Sequence, residues 1–153
     1  MYPLDYIQPV YRPPSEGRSL ILQVANGCSY NKCTFCEMYT DRHKRFSPKP
    51  IEKIEEELRD LSKSGYPVKR VFLADGDAMT LSTRRLVDIL QMINKYYPDV
   101  QRVSSYCLPR NLKKKSIEDL QDLYDLGLSL LYVGCESGDN EVLRLVNKGE
   151  DYD

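Results

Sequence analysis

The sequence predicts an α/β fold made of four consecutive β-α units around a parallel sheet. Two observations predict this class. Short apolar runs alternate four times with segments whose apolar residues recur at helical spacing. The apolar runs are also continuous, as is typical of strands that are buried on both faces of a parallel sheet. The 153 residues, of which 41% are hydrophobic, are enough for one domain with its own core.

Residues 1–18 are predicted to form an extended N-terminal arm, and residues 19–153 the α/β core. Proline fixes the backbone angle φ and lacks an amide proton, so a proline-rich segment favours an extended chain over a helix. We expect the tyrosines of this arm to pack it onto the surface of the core. The prolines and tyrosines are Pro3, Pro9, Pro13, Pro14, Tyr2, Tyr6 and Tyr11.

The first two β-α units are predicted from strands at residues 19–25 and 69–74. Apolar residues three or four positions apart mark the helix after each strand. In the first helix these are Ile51, Ile54, Leu58 and Leu61, and in the second they are Leu86, Ile89, Leu90 and Ile93. The second helix must end before Pro98.

The other two units are predicted from strands at residues 102–107 and 128–134. Ser116 can cap the third helix and Gly127 can end it. The fourth helix ends near Gly149. The apolar residues that mark these two helices are Ile117, Leu120, Leu123, Val142, Leu143 and Val146.

The four units amount to half of a barrel, and half a barrel leaves parallel sheet edges unpaired. We therefore expect either a fragment of a longer protein or two chains that complete each other, and we favour the fragment. Ligands of such folds bind at the carboxyl ends of the strands. The loops that follow the strands are residues 26–36, 75–79, 108–111 and 135–138.

The composition excludes some classes of function. A formal net charge of −1 gives no electrostatic signal for nucleic acid or for an anionic membrane. No apolar run approaches the length of a membrane span, and residues 1–17 lack the apolar core of a signal peptide. We expect a cytoplasmic protein whose five cysteines are reduced thiols.

Three cysteines crowd the loop after the first strand, where Cys28, Cys33 and Cys36 have the spacing C-x4-C-x2-C. Thiolates are soft ligands that select zinc, Cu(I) or iron–sulfur clusters. Three thiolates can hold three corners of a cubane [4Fe–4S] cluster and leave the fourth iron open. The alternative is a domain without catalytic activity that carries zinc or an iron–sulfur cluster structurally. A zinc site would be completed by His43, the only histidine of the chain.

The loop GCSYNKCTFC, with Phe35 before its last cysteine, resembles the cluster-binding loop of the radical S-adenosylmethionine (SAM) superfamily. Asp75-Gly76-Asp77 resembles the Gly-Gly-Glu-like motif that contacts the amino group of SAM in that family. Glu136-Ser137-Gly138 resembles a motif of methylthiotransferases and of the Elongator catalytic subunit. The resemblance covers roughly residues 19–149.

The resemblance implies a (β/α)6 partial TIM barrel and a function. Cys28, Cys33 and Cys36 would hold a [4Fe–4S] cluster whose open iron binds SAM. One electron from the cluster, supplied by a donor such as flavodoxin or ferredoxin, would cleave SAM to methionine and a 5′-deoxyadenosyl radical that takes a hydrogen atom from the substrate. The resemblance does not name the substrate, because members of this superfamily act on RNA, proteins, porphyrins and small molecules.

The resemblance also assigns SAM contacts. Asp77 or Asp75, beside Gly76, would hold the amino group by a charge-assisted hydrogen bond. Glu136 or Ser137 would bind the ribose hydroxyls, and Phe35 would lie along the adenine.

Ordinary structural roles are open for the same motifs. Asp75-Gly76-Asp77 could form a turn or an acidic Mg²⁺ pocket, and Glu136-Ser137-Gly138-Asp139 could cap the fourth helix. Cys107 and Cys135 are expected to be small buried apolar residues. The charged runs at residues 42–45 and 113–115 are expected on the solvated surface. A nucleotide-binding domain is disfavoured because no glycine-rich phosphate loop is present.

Overall fold

The computed structural model describes residues 4–152, and these form an α/β fold around a four-stranded parallel sheet. The strands are β1 (Leu20–Gln23), β2 (Ala25–Asn26), β3 (Ser47–Pro48), β4 (Arg70–Ala74), β5 (Arg102–Cys107) and β6 (Leu128–Val133). The helices are α1 (Ile51–Lys63), α2 (Thr83–Tyr96), α3 (Pro109–Lys113), α4 (Ile117–Asp125) and α5 (Asn140–Leu145). The parallel sheet has the order β1-β4-β5-β6, so the predicted fold class is confirmed.

One face of the sheet carries the main apolar core. Leu22, Leu73 and Val103 are buried there together with the apolar stripes of α1 and α2. The buried residues of these stripes are Ile54, Leu58, Leu61, Leu86, Ile89, Leu90 and Ile93, which are the positions that the helical spacing predicts. Covering the sheet with helices suits a parallel sheet, whose strands are buried on both faces.

The opposite face carries aromatic side chains. Phe72 of β4 packs edge-to-face against Tyr106 of β5, with ring centroids 5.1 Å apart, and Tyr132 of β6 lies next to both rings. Edge-to-face pairs align the positive ring edge with the negative ring face. Tyr106 and Tyr132 also line the candidate site described below.

The structure differs from the sequence prediction in two local elements. The first predicted strand, residues 19–25, divides at Val24 into β1 and β2, and β2 pairs antiparallel with β3. Val24 bridges the two sheets because its amide donates to Ala74 and its carbonyl accepts from Lys49. The short helix α3, which begins at Pro109, is the second difference.

The described part of the N-terminal arm, residues 4–18, covers the outer edge of β1. The Tyr6 hydroxyl donates to the Ile21 carbonyl over 2.8 Å, and the Ile7 amide donates to the Gln23 side chain over 2.8 Å. Unpaired strand edges invite association with other chains, so this cover protects the edge. Farther along the arm, buried Glu16 pairs with Arg102 at 2.7 Å.

Within residues 4–152, the helices lack the length and apolar character needed to cross a bilayer.

Candidate functional site

The three cysteines of the predicted cluster loop line one cleft at the carboxyl ends of the parallel strands. The cleft has a volume of about 380 Å³ and is also lined by Phe35 and Gly76. Tyr106, Cys107, Tyr132, Glu136 and Lys148 form much of the remaining wall. A ligand site is expected at this end of the sheet, because ligands of parallel α/β folds bind at the carboxyl ends of the strands.

Asp75, Gly76 and Asp77, which we call the cradle, lie directly against the start of the cysteine loop. The Gly27 amide donates to Oδ2 of Asp75 over 3.0 Å, and the Gly76 amide donates to the Gly27 carbonyl over 3.1 Å. The Ser29 amide donates to Oδ1 of Asp77 over 2.8 Å, and the Ser29 hydroxyl donates to Oδ2 of the same carboxylate. The cradle therefore holds the residues on both sides of Cys28.

Gly76 is needed here because of close packing. A Cβ atom at this position would lie 2.8 Å from the Cβ of Cys28 and 2.7 Å from the ring of Tyr39. Cβ atoms do not come that close to other carbon atoms, so any side chain at position 76 would push Cys28 away.

Asp75 is also one half of a buried ion pair. Its Oδ2 lies 2.5 Å from Nζ of Lys44, and both side chains are fully buried. Lys44 also donates to the Ile7 carbonyl of the arm over 2.8 Å, and Gln23 donates to the same Asp75 oxygen over 3.1 Å. A buried ion pair needs such additional hydrogen bonds to offset the cost of removing both charges from water.

The other end of the cysteine loop is held by residues 146–150, which we call the C-terminal clasp. The Thr34 amide donates to the Val146 carbonyl over 3.0 Å, and the Asn147 side-chain amide donates to the Lys32 carbonyl over 2.8 Å. Lys148 is buried and lies 3.3 Å from Oε1 of Glu136. The clasp thus brings one cation into the wall of the cleft beside Cys33.

Burial affects the acid–base state of the thiols. It raises the pKa of Cys28, and the nearby Asp77 carboxylate raises this pKa further. Burial likewise raises the pKa of Cys33, against the opposing effect of Lys148. Because metals bind the thiolate, metal binding at these cysteines must release protons.

The structure brings some of the predicted SAM-contact residues to the cleft and not others. Phe35 is half exposed at the rim, with Nζ of Lys148 6.0 Å from its ring centroid, and Glu136 adopts a left-handed backbone with φ of +58°. Ser137 instead lines a neighbouring cleft, where its hydroxyl accepts from the Asp139 amide over 3.0 Å. Asp75 and Asp77 lie behind the loop, and of the cradle only Gly76 borders the cleft.

Three expectations for single residues were wrong. Lys44 was expected on the solvated surface, but it is buried in an ion pair with Asp75. The reason is that the buried Asp75 carboxylate would be costly without a cation beside it. Lys115 was also expected on the surface, but it is half-buried and its ammonium donates to the Met79 and Leu81 carbonyls. Cys135 was expected to be buried, but it is exposed in the loop after β6, whereas Cys107 is buried as predicted.

Tyr39, Lys44 and Lys148 are site residues that the sequence analysis missed. Lys44 sits inside a charged run, and nothing in its local pattern distinguishes it from its solvated neighbours. Lys148 lies between the end of α5 at Leu145 and Gly149, a position that also suits an exposed lysine. Only the partner residues from distant parts of the chain distinguish these side chains.

The donor set fits a cluster with thiolate ligands. Three thiols of one loop line the same cleft, and soft thiolates are the ligands that iron–sulfur clusters take. His43, the fourth ligand of the alternative zinc site, is exposed and does not line this cleft. In residues 4–152, no group of three or more His, Cys, Asp or Glu side chains, the three cysteines included, is arranged to hold a metal ion.

Comparison with protein families decides the classification. The family model of the radical SAM superfamily matches residues 22–153. The chain belongs to the radical SAM superfamily. The predicted superfamily is therefore confirmed, whereas the narrower likeness to methylthiotransferases and the Elongator catalytic subunit stays a prediction.

Two curated proteins are similar to this radical SAM chain. The 4′-phospho-dehydrooxetanocin synthase of Priestia megaterium is 24% identical over 147 residues, which cover 86% of the chain and 20% of that protein. The heme chaperone HemW of Bacillus subtilis (strain 168) is 25% identical over 130 residues, covering 78% of the chain and 34% of HemW. The chain thus spans about a fifth and a third of the length of these relatives.

A solved structure supports the fold. The crystal structure of HydG, a maturase of the [FeFe]-hydrogenase, matches with a TM-score of 0.56 at 18% sequence identity. The match covers 83% of this chain and 27% of the HydG chain. The α/β architecture of the radical SAM chain therefore has a known structural counterpart.

Proposed function

We propose that this chain is the cluster-binding part of a radical SAM enzyme, in which Cys28, Cys33 and Cys36 hold a [4Fe–4S] cluster and SAM binds in the adjoining cleft. The observation that carries the proposal is that these three cysteines, from one loop, line the same cleft at the carboxyl ends of the strands. Membership of the superfamily and the likeness to a synthase support a catalytic role.

When bound, the cluster and SAM would supply the radical chemistry, in which one electron cleaves the sulfonium to methionine and a 5′-deoxyadenosyl radical. The residues of this chain contribute position and electrostatics. The cradle holds the Cys28 end of the cysteine loop and the clasp holds the Cys33 end, so both restrict where the thiols can lie. Loss of the thiol protons of Cys28 and Cys33 accompanies cluster binding.

The wall of the cleft offers distinct surfaces to the parts of SAM. The half-exposed ring of Phe35 presents an apolar face on which adenine could stack. Glu136 offers a carboxylate to the ribose hydroxyls and is kept near the cleft by Lys148. We propose a flavodoxin or a ferredoxin as the one-electron donor. We also propose that the protein is cytoplasmic, because thiols stay reduced in that compartment.

The test is SAM cleavage by the anaerobically reconstituted chain. The protein is loaded with iron and sulfide, reduced with dithionite and incubated with SAM, and 5′-deoxyadenosine is quantified by chromatography. The wild-type chain is expected to show the broad visible absorption of an iron–sulfur cluster and to release 5′-deoxyadenosine.

Two single-cysteine variants make the test specific. Cys33→Ala removes a proposed ligand and is expected to lose both the absorption and the cleavage. Cys107→Ala removes a thiol from the wall of the same cleft and is expected to retain both. Stoichiometric zinc without an iron–sulfur absorption band would contradict the proposal and favour the non-catalytic metal domain.

A further inference from the structure

The two carboxylates of the cradle are engaged with the protein and do not face the cleft. Both oxygens of Asp77 accept hydrogen bonds from Ser29, and Oδ2 of Asp75 accepts from Lys44, Gly27 and Gln23. Oδ1 of Asp75 meets no donor among residues 4–152, but this atom is buried and does not border the cleft. Their bonding therefore points to the cysteine loop as the partner of this motif.

We propose that Asp75 and Asp77 are positioning residues, which fix Cys28 by binding the backbone on both sides of it. The proposal rests on the proposed function only for the role of Cys28 as a cluster ligand. The contacts themselves belong to the protein alone, so they can be tested in the metal-free chain without SAM.

Three features of the contacts support this role. The cradle and the loop segment pair residue against residue, since Asp75 and Gly76 bind Gly27 while Asp77 binds Ser29. Both carboxylates are fully buried, where a charge-assisted hydrogen bond is strong and an unmade one is costly. Gly76 lies between the two aspartates, and the Cβ of Cys28 packs so closely against it that a side chain at position 76 would not fit.

An ordinary turn after β4 does not explain this arrangement. Turn-forming aspartates bind their own backbone two or three residues along the chain. The partners of Asp75 and Asp77 are instead 31 to 52 residues away in the sequence, on β1, on the cysteine loop and at Lys44 after that loop. The motif therefore joins distant segments of the chain beside Cys28, the first proposed ligand, which lies in the loop after β2.

The experiment is amide hydrogen exchange by NMR on the metal-free chain, with Asp77→Ala, Asp77→Asn and the matched control Asp99→Asn. Asp99 is an exposed aspartate in the loop after α2. In Asp77→Ala we expect the Ser29 amide to exchange about tenfold faster than in the wild type, because it loses a charged acceptor. Asp77→Asn retains an acceptor oxygen, so we expect it to restore much of the protection.

The pattern across the chain separates positioning from general stability. We expect the amides of α2 to exchange at the wild-type rate in both Asp77 variants, and all amides to do so in Asp99→Asn. Unchanged protection of Ser29 in Asp77→Ala would overturn the proposal. Equal acceleration at Ser29 and throughout α2 would overturn it as well, because it would show only a loss of global stability.

A second readout links the cradle to metal retention. After reconstitution, iron loss to a chelator is followed by visible absorption, and Asp77→Ala is expected to lose iron about tenfold faster than the wild type, with Asp77→Asn in between. Iron loss at the wild-type rate in Asp77→Ala would count against the proposal. A wild-type chain that forms no cluster would contradict the proposed function, whereas the exchange experiment would still decide the role of the cradle.

Discussion

The two ends of the cysteine loop are held by different kinds of contact. At the Cys28 end, the partners are the buried cradle and the buried Lys44–Asp75 ion pair. At the Cys33 end, the partners belong to the clasp, where Asn147 and the bonded Thr34 are exposed. Buried contacts hold a geometry more firmly than exposed ones, for which water competes.

This difference suggests that the two ends of the loop differ in rigidity. The Cys28 end is fixed by the core of the protein before any metal binds. The Cys33 end depends on a segment after α5, so it can adjust as the metal binds. Substitutions at the buried end should therefore cost more than substitutions at the exposed end, and the following predictions test that order.

The largest effect is expected for Lys44→Met, which leaves Asp75 as an unpaired buried charge. Loss of one partner of a buried ion pair costs about 3–5 kcal/mol of unfolding free energy. The measurement is urea denaturation of the metal-free chain. The double variant Lys44→Met/Asp75→Asn removes both charges and should be more stable than Lys44→Met alone; equal stability of the two variants would contradict a specific charge pair.

Gly27→Ala is expected to have the next largest effect. Gly27 has φ of +69°, and a Cβ atom there would overlap the Lys44 carbonyl. We expect a loss of about 2–3 kcal/mol of unfolding free energy from steric overlap and backbone strain together. The matched control is Gly65→Ala, where φ is +72° but no atom lies within 4 Å, so this variant carries the backbone strain alone. Equal losses in the two variants would show that the space between Gly27 and the Lys44 carbonyl is not tightly packed.

A smaller effect is expected at the clasp. Asn147 has φ of +52° and donates to Lys32 over 2.8 Å, so Asn147→Gly keeps the backbone conformation and removes this bond. Because the bond is exposed, the global loss should stay below about 1 kcal/mol. Amide exchange should nevertheless accelerate at Thr34 while Ser29 stays protected. Loss of protection at Ser29 would show that the two ends of the loop are not held independently.

The smallest effect on the site is expected at Cys107, which lines the cleft but does not belong to the loop. Burial raises the pKa of the Cys107 thiol to about 11, so little thiolate exists at neutral pH. Its alkylation, followed by peptide mass spectrometry, should be slower than that of exposed Cys135 and should rise with pH up to about 11. Rapid alkylation of Cys107 at pH 7 would contradict its burial in the metal-free chain.

The sequence predicted the larger elements of the fold well because their signals are local. Apolar spacing identified α1 and α2, and Ser116 was correctly predicted to cap α4, where it forms a capping box with Asp119. The β2–β3 ribbon was missed because two-residue strands carry almost no periodic signal.

The candidate site was predictable in part. The spacing of Cys28, Cys33 and Cys36 identified the loop, and the alternation of strands and helices identified the end of the sheet at which it lies. The partners of Asp75 and Asp77 were not predictable, because Lys44 and Ser29 are far from them in sequence. Long-range hydrogen bonds follow from the tertiary fold and leave no mark in a local pattern.

The most direct test of the account is electron paramagnetic resonance of the reconstituted and reduced chain, recorded before and after SAM is added. Three cysteine ligands and one open iron predict the signal of a reduced [4Fe–4S] cluster, and SAM bound at the open iron should change that signal. The Cys107→Ala variant should behave like the wild type. A cluster signal that does not respond to SAM, or a chain that binds zinc in place of iron, would contradict the account.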